Sequence, residues 1–209
     1  MTDGEPPRRD TYRHGDLRRT LLEVGIALAR AGGPEAVVLR EATRQAGVVP
    51  NAAYRHFADR QALLDAVCSA ALAALAVAME AEIAGLPHDD TPRDAARARL
   101  RAVGTGYLRF AQAEPGLFRT AFSVPDNLAG PGGTGASGLT PFGLLSAALD
   151  ALVAAGALLP ARRPGAEFLA WSAVHGLAML VIDGPLRSLD RTQTHDIGQR
   201  LLDMVEQGL

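Results

Sequence analysis

Apolar positions recur along most of the chain at steps of three and four residues, the spacing of one face of an α-helix, and seldom at every second residue. Leu17, Leu21, Val24 and Leu28 form a first stripe, with Asp16 at its start, and Gly32-Gly33-Pro34 ends it. Short helical segments follow from Leu39 and from Asn51. A long helix is predicted from residue 59 to about 85, with Leu64, Val67, Ala71, Leu75, Met79 and Ile83 on one face and Gly85-Leu86-Pro87 at its end. The spacing predicts further helices over Pro92–Gln112, from Glu114-Pro115 to Phe122, over Pro141–Ala155, Ala166–Asp183 and Thr192–Gln207. Alternating β-branched runs are scarce, so the pattern predicts an all-α fold of about nine helices.

The stretch Leu39 to Phe57 carries the most specific local signals. Leu39–Ala46 favours helix and stops at Gly47, a residue suited to the left-handed conformation that closes a helix. Pro50 suits the first turn of the next helix, where its fixed φ fits and its missing N–H is no loss. That second helix, read as Asn51–Phe57, carries Asn51, Tyr54, Arg55 and His56, side chains able to bond base edges or phosphates. Two short helices joined by a tight turn are the outline of a helix-turn-helix, whose second helix enters the DNA major groove.

Ala46-Gly47-Val48, Tyr54-x-His56-Phe57, Arg60 and Leu63-Leu64 at this spacing resemble the DNA-binding domain of the TetR family of bacterial regulators. The resemblance implies a three-helix domain over residues 1–58, with a larger helical ligand-binding and dimerisation domain over 59–209. It assigns Tyr54 and His56 mainly to phosphates, and Arg60 to a phosphate at the start of the fourth helix. Asn51 suits adenine, and Arg55 suits guanine or phosphate. Arg40, Arg44, Pro50 and Ala52 complete the expected DNA face. The chain departs from the family at Val38 and Val49, where Ser or Thr usually caps the helix, and at Ala42-Thr43. Each lost cap removes about 1 kcal/mol of stability and a hydroxyl.

In the second half, Tyr107-Leu108-Arg109-Phe110-Ala111, Glu114-Pro115-Gly116-Leu117-Phe118-Arg119 and Trp171-x-x-x-His175-Gly176 resemble the WHG-type C-terminal domain of some TetR-like regulators. Tyr107, Phe110, Phe118, Phe122, Trp171, His175 and Met179 are candidates to line a ligand pocket. The competing reading is plain core. Phe168, Trp171, His175, Met179 and Ile182 lie on one stripe of their helix, and Leu169, Ala173, Gly176 and Leu180 on a neighbouring one. Two apolar faces need two partners, and the second suits another subunit. Ile197, Leu201 and Val205 of the last helix join it, because the family dimerises through its last two helices.

Composition narrows the function classes. The chain has 209 residues, 48% hydrophobic and 21% charged, enough for a substantial core. All 21 basic residues are arginine, which excludes lysine-dependent chemistry such as Schiff bases and Walker loops. The net charge of −2 requires any DNA-binding surface to be a local patch. The one cysteine, Cys68, is read as a buried structural thiol in a reducing cytoplasm. The N-terminus lacks the apolar core of a signal peptide, and the apolar runs around Ala66–Met79 and Phe168–Ile182 fall short of the ~18 residues of a membrane span. Residues 1–14, with Arg8, Arg9 and Arg13, are either a solvated tail or a basic arm reaching DNA.

Arg97, Arg99 and Arg101 read as a solvated face, and Gly104 and Gly106 as sites of close packing or of ligand contact with backbone. Gly130-Pro131-Gly132-Gly133-Thr134-Gly135 matches G-x-G-x-x-G, but no strand pattern precedes it, so a flexible surface loop is expected. The histidines at 14, 56, 88, 175 and 195 lack metal-ligand spacing, and His88-Asp89-Asp90 reads as a solvated turn. No catalytic residue, cofactor or metal is expected. The sequence therefore points to a cytoplasmic homodimeric regulator that binds a palindromic operator in double-stranded DNA, answers to a small, apolar or aromatic effector, and uses no membrane. A repressor is the expected sign. The alternatives are an adaptor that has lost DNA binding, and an enzyme.

Overall fold

A computed structural model describes residues 14–87, 91–124 and 133–209, with side chains from Leu17 onward. The basic arm at 1–13, the His88-Asp89-Asp90 turn and Gly130–Gly132 lie outside the described residues. Every regular element within them is a helix. The elements are α1 (His14–Gly32), α2 (Leu39–Gln45), α3 (Pro50–Ala53), α4 (Arg60–Ala84), α5 (Pro92–Ala113), α6 (Pro115–Ala121), α7 (Pro141–Ala154), α8 (Ala166–Ile182) and α9 (Arg191–Gly208). Single 3₁₀ turns stand at Pro34–Ala36 and Pro160–Arg162.

The first three helices form a small bundle on Leu21, Val37, Leu39, Ala42, Ala53 and Phe57, all buried. Gly25 lets α4 approach: a Cβ there would meet the Val67 side chain at 2.8 Å. α4 then runs through the rest of the molecule, packed against α1, α5, α6 and α7. It buries Leu63, Leu64, Val67, Cys68, Ala71, Leu72, Leu75, Ala76 and Met79, so the stripe read from the sequence is one part of a wider buried surface. By length and composition α4 could cross a bilayer, which reading its apolar residues as a shorter run does not anticipate. Half of that apolar stretch is buried inside the protein, as in the central helix of a folded domain.

Caps set most boundaries. The Asp59 carboxylate accepts from Ala62 N at 2.8 Å and starts α4. Thr91 and Thr140 accept from the N3 amides Asp94 N and Gly143 N of α5 and α7. At α9 the Asp190 side chain accepts from Gln193 N while the Gln193 side chain accepts from Asp190 N, a full capping box. The apolar spacing begins this helix at Thr192; the capping box places its start at Arg191.

α5 and α4 meet at Gly106, where a Cβ would lie 2.6 Å from Met79 Cα. At Gly104 the Leu202 side chain of α9 fills the Cβ position. Both glycines therefore serve helix packing. α8 buries Ala166, Ala170, Val174, Leu177 and Ala178. Phe168, placed on the inward stripe by spacing, is 56% exposed and leans on Phe142 with ring centroids 5.6 Å apart. An apolar residue occupies nearly every position of α8, so periodicity does not select a face and the neighbours do. Residues Thr134–Gly138 lie at the surface but are not loose. The Glu80 carboxylate of α4 accepts from Ala136 N at 2.8 Å and from Ser137 N at 2.9 Å, and the bonds from Ser137 hold its pKa down.

Candidate nucleic-acid interface and effector cavity

The turn between α2 and α3 is built by local chemistry. Gly47 has φ 69°, Val48 N donates to Thr43 O at 3.1 Å and Gly47 N donates to Arg44 O at 3.3 Å. These two bonds are the Schellman arrangement that closes a helix, and they need a left-handed residue at Gly47. α3 then opens at Pro50. It is shorter than the predicted Asn51–Phe57: the regular helix ends at Ala53, and His56 N and Phe57 N both donate to Ala53 O at 2.9 Å. Two amides sharing one carbonyl tighten the chain and turn it into α4. Neither α2 nor α3 has a side-chain cap at Val38 or Val49, and Val49 is 69% exposed.

The expected DNA-contacting residues divide into free and engaged groups. Arg40, Pro50, Asn51, Tyr54 and Arg55 are exposed, and Arg40 and Arg55 meet no carboxylate among the described residues. Ala52 and His56 are half-buried. Arg44 is exposed but forked onto Glu41, with Nη2 2.6 Å from Oε1 and Nε 2.8 Å from Oε2. The Arg44 bonds, and then one from Gln45, lower the Glu41 pKa to about 2. Arg60 donates to Val37 O and Pro34 O, both at 2.8 Å, so its guanidinium ties α4 to the segment before α2. Arg18 of α1 donates to His56 O at 2.6 Å and stacks 4.5 Å above the Phe57 ring, bracing the end of α3 from behind.

In the second half, five of the seven pocket candidates form one ring cluster. Tyr107 meets Phe118 edge-on at 5.3 Å, Phe118 lies 5.0 Å from Phe122, and His175 lies 4.9 Å from Phe122 and 5.4 Å from Trp171. A polar relay runs through it. Trp171 Nε1 donates to the Tyr107 hydroxyl at 3.1 Å, and that hydroxyl lies 2.7 Å from His175 Nδ1. Burial pushes the Tyr107 phenol far up and the His175 pKa down. Tyr107 is therefore the donor and neutral His175 the acceptor, which leaves the imidazole proton on Nε2. Because the folded chain favours neutral His175, the unfolded chain binds the proton first as the pH falls. Thermal stability is expected to hold above about pH 6.5 and to decline below it. Melting curves of the wild type and His175→Gln between about pH 7 and pH 5 check this, with the smaller decline expected in the variant.

Beside the cluster is a cavity of about 50 Å³ between α5, α7, α8 and α9. Tyr107, Phe122 and Trp171 wall it, whereas Phe110, Phe118, His175 and Met179 do not. Phe118 is fully buried core. Residues not proposed for the pocket from sequence complete the wall, among them Phe142, Leu145, Val174 and Leu202, together with Leu72 of α4 and Met79 from its apolar stripe. Val205, expected in a dimer face, also lines it. At its edge Arg101 bonds Gln199 at 3.2 Å and pairs with Asp203 and Glu206, and Arg97 lies 3.6 Å from Glu206. Arg101 is thus a clasp between α5 and α9, not a purely solvated side chain. Cys68 is buried, as expected, with its thiol donating to Thr120 O at 3.0 Å and its pKa raised by burial.

Comparison with known proteins agrees with these two halves. Residues 21–67 match the family described as bacterial regulatory proteins, tetR family, and residues 100–205 match the tetracyclin repressor-like C-terminal domain. Among solved structures, the chain is similar to a protein of unknown function from Rhodococcus sp. RHA1, with 29% identity and a TM-score of 0.68 over 96% of this chain and 99% of that one. It is also similar to SCO4313, a protein provisionally described as regulatory, with 16% identity and a TM-score of 0.60 over 95% and 98% of the two chains; that likeness is one of fold. A comparison with curated proteins found no match. With a helix-turn-helix at its start and matched segments spanning both halves, the chain belongs to the TetR family of bacterial transcriptional regulators.

Proposed function

We propose that the protein is a homodimeric repressor that leaves its operator when a small apolar or aromatic molecule enters the cavity beside Trp171. The observation that carries this reading is the placing of Leu72 and Met79 in the cavity wall, because both belong to α4, whose first turn follows directly on the DNA-reading segment. About 50 Å³ holds only a few waters. An effector of ordinary size needs several hundred Å³ and has to push the walls apart. Moving α4 changes the separation of two recognition elements that must reach successive major grooves, roughly 34–36 Å apart. The shift is bounded by the effector's preference for the widened state. The lining favours an apolar guest, since the Tyr107 hydroxyl already accepts from Trp171 and donates to His175.

Dimerisation through α8 and α9 is supported by exposed apolar side chains: Leu169 at 69%, Leu180 at 44% and Met204 at 60%. Ala173, Gly176, Ile197, Leu201 and Val205 are half-buried around them, and a Cβ on Gly176 would meet nothing within 4 Å, so that position is open to a second subunit. The DNA face is proposed to be Arg40, Arg44, Pro50, Asn51, Ala52, Tyr54, Arg55, His56 and Arg60. Arg44 reaches phosphate only by leaving Glu41, and Arg60 acts chiefly by fixing α4. Division into a DNA-reading unit at 1–58 and an effector unit at 59–209 follows from the same reading, as does a non-enzymatic role in the cytoplasm.

The chain holds one tryptophan, and it lines the cavity. Its fluorescence therefore reports occupancy directly. Titrating small aromatic compounds into the protein–operator complex is expected to change Trp171 emission and release the DNA over the same concentration range. Release of DNA with Trp171 emission unchanged would place the effector elsewhere.

A further inference from the structure

A second, open cleft of about 690 Å³ lies at the other side of the effector half. It is formed by the last turn of α5, the start of α6, the end of α8 and the segment leading into α9. Its walls carry Arg109, Arg119, Arg187, Arg191 and His195. Only two of the four arginines have a carboxylate partner among the described residues. Arg109 bonds Glu82 at 2.5 Å, and Arg119 stands 3.5 Å from Asp183. Arg187 and Arg191 are exposed and meet no acid among the described residues. The Arg119–Asp183 contact is made by the buried Nε of Arg119 and is too long for a good hydrogen bond, so Asp183 balances the charge without satisfying the donor. Val181, Ile182 and Leu189 supply apolar wall between the charges.

This cleft is remote from the DNA face. The N-terminal part of α1 meets the recognition segment through Arg18 and His56, whereas α6 packs on the opposite end of α1, at Ala29 and Arg30. The intervening turns of helix span roughly 15–20 Å. A DNA phosphate is therefore not what the arginines serve. Guanidinium forks match carboxylate and phosphate oxygens two at a time. We propose that the cleft binds a small organic oxyanion, with a phosphate or carboxylate head held by Arg119, Arg187 and Arg191 and an apolar body on Val181 and Ile182. Arg119 also lies against Gly33, with its Nη1 3.6 Å from where a Cβ there would stand, so a ligand on Arg119 sits one residue away from the junction with the DNA-reading half.

The full chain, titrated with phenyl phosphate and with inorganic phosphate, tests the proposal by calorimetry and by amide NMR shifts. Phenyl phosphate is expected to bind saturably, about tenfold more tightly than inorganic phosphate, with shifts gathered in α6 and the start of α9. The double variant Arg187→Ala/Arg191→Ala should weaken it by about tenfold or more, while Arg162→Ala/Arg200→Ala, which removes the same charge elsewhere, should not. All four side chains are exposed, so folding is preserved. Absence of saturable binding, equal binding by the Arg187/Arg191 variant, equal affinity for the two probes, or shifts centred on Trp171 would each overturn it. No DNA enters this titration, so its outcome is independent of the operator-binding reading.

Discussion

Replacing Gly116 with alanine is expected to uncouple the two halves of the molecule. α6 lies so close to the end of α1 that a Cβ on Gly116 would stand 2.5 Å from Arg30 O and nearer still to Ala29 O. Both obstacles are backbone, so no side chain can swing aside, and the helices have to separate. Overpacking of this kind costs about 1–3 kcal/mol, and the backbone obstacles argue for the upper end. For a chain of this size that corresponds to a melting temperature lower by about 6–12 °C. The Arg30–Glu114 pair at 2.8 Å spans the same contact but is largely exposed and adds little. Operator affinity should fall further than global stability explains, because α1 also braces α3 through Arg18. Calorimetric melting together with DNA titration of Gly116→Ala checks both. A variant that melts like the wild type would show that α6 is not packed on α1 in this way.

The second large effect is expected at Arg55. Its side chain is exposed beside Tyr54 and meets no carboxylate among the described residues, so Arg55→Ala should leave stability within about 0.5 kcal/mol of the wild type. Operator affinity should fall by about 1–3 kcal/mol, roughly 5- to 150-fold. The salt dependence separates two roles. If Arg55 holds a phosphate, its removal should lower the slope by about one counterion. If it reads a base, its removal should leave the slope nearly unchanged and relax selectivity at one position of the site. Unchanged affinity would move the recognition surface away from Arg55.

The parts of the fold legible in the sequence are those set by near neighbours. Gly47 and Pro50 mark the turn because left-handed backbone and a pre-set φ are local requirements, and the turn is where they place it. The stripe of α4 is read correctly as buried from Leu64 to Met79 because any face of so apolar a helix finds a partner. What distant segments decide is not legible. Spacing puts Phe168 inside and leaves the small residues Ala170 and Ala178 unremarked, yet those two are buried and Phe168 is not. Arg101 looks solvated until α9 supplies Asp203 and Glu206 about a hundred residues later. The cavity wall mixes α4, α5, α7, α8 and α9, so Tyr107, Phe122 and Trp171 can be proposed for it from sequence, but Leu72 and Leu202 cannot be told from core. Asp190 and Gln193 are the exception, since a capping box is a local signal and stands in the sequence to be read.

The most direct test is a fluorescence-anisotropy titration of the purified protein against the DNA upstream of its own gene, at several salt concentrations. Tight, saturable binding that withstands competitor DNA and weakens steeply with salt is the expected result for a helix-turn-helix regulator of this geometry. Weak binding that is the same for every sequence, both there and across DNA selected from genomic fragments, would contradict it and leave a helix-turn-helix that no longer reads DNA.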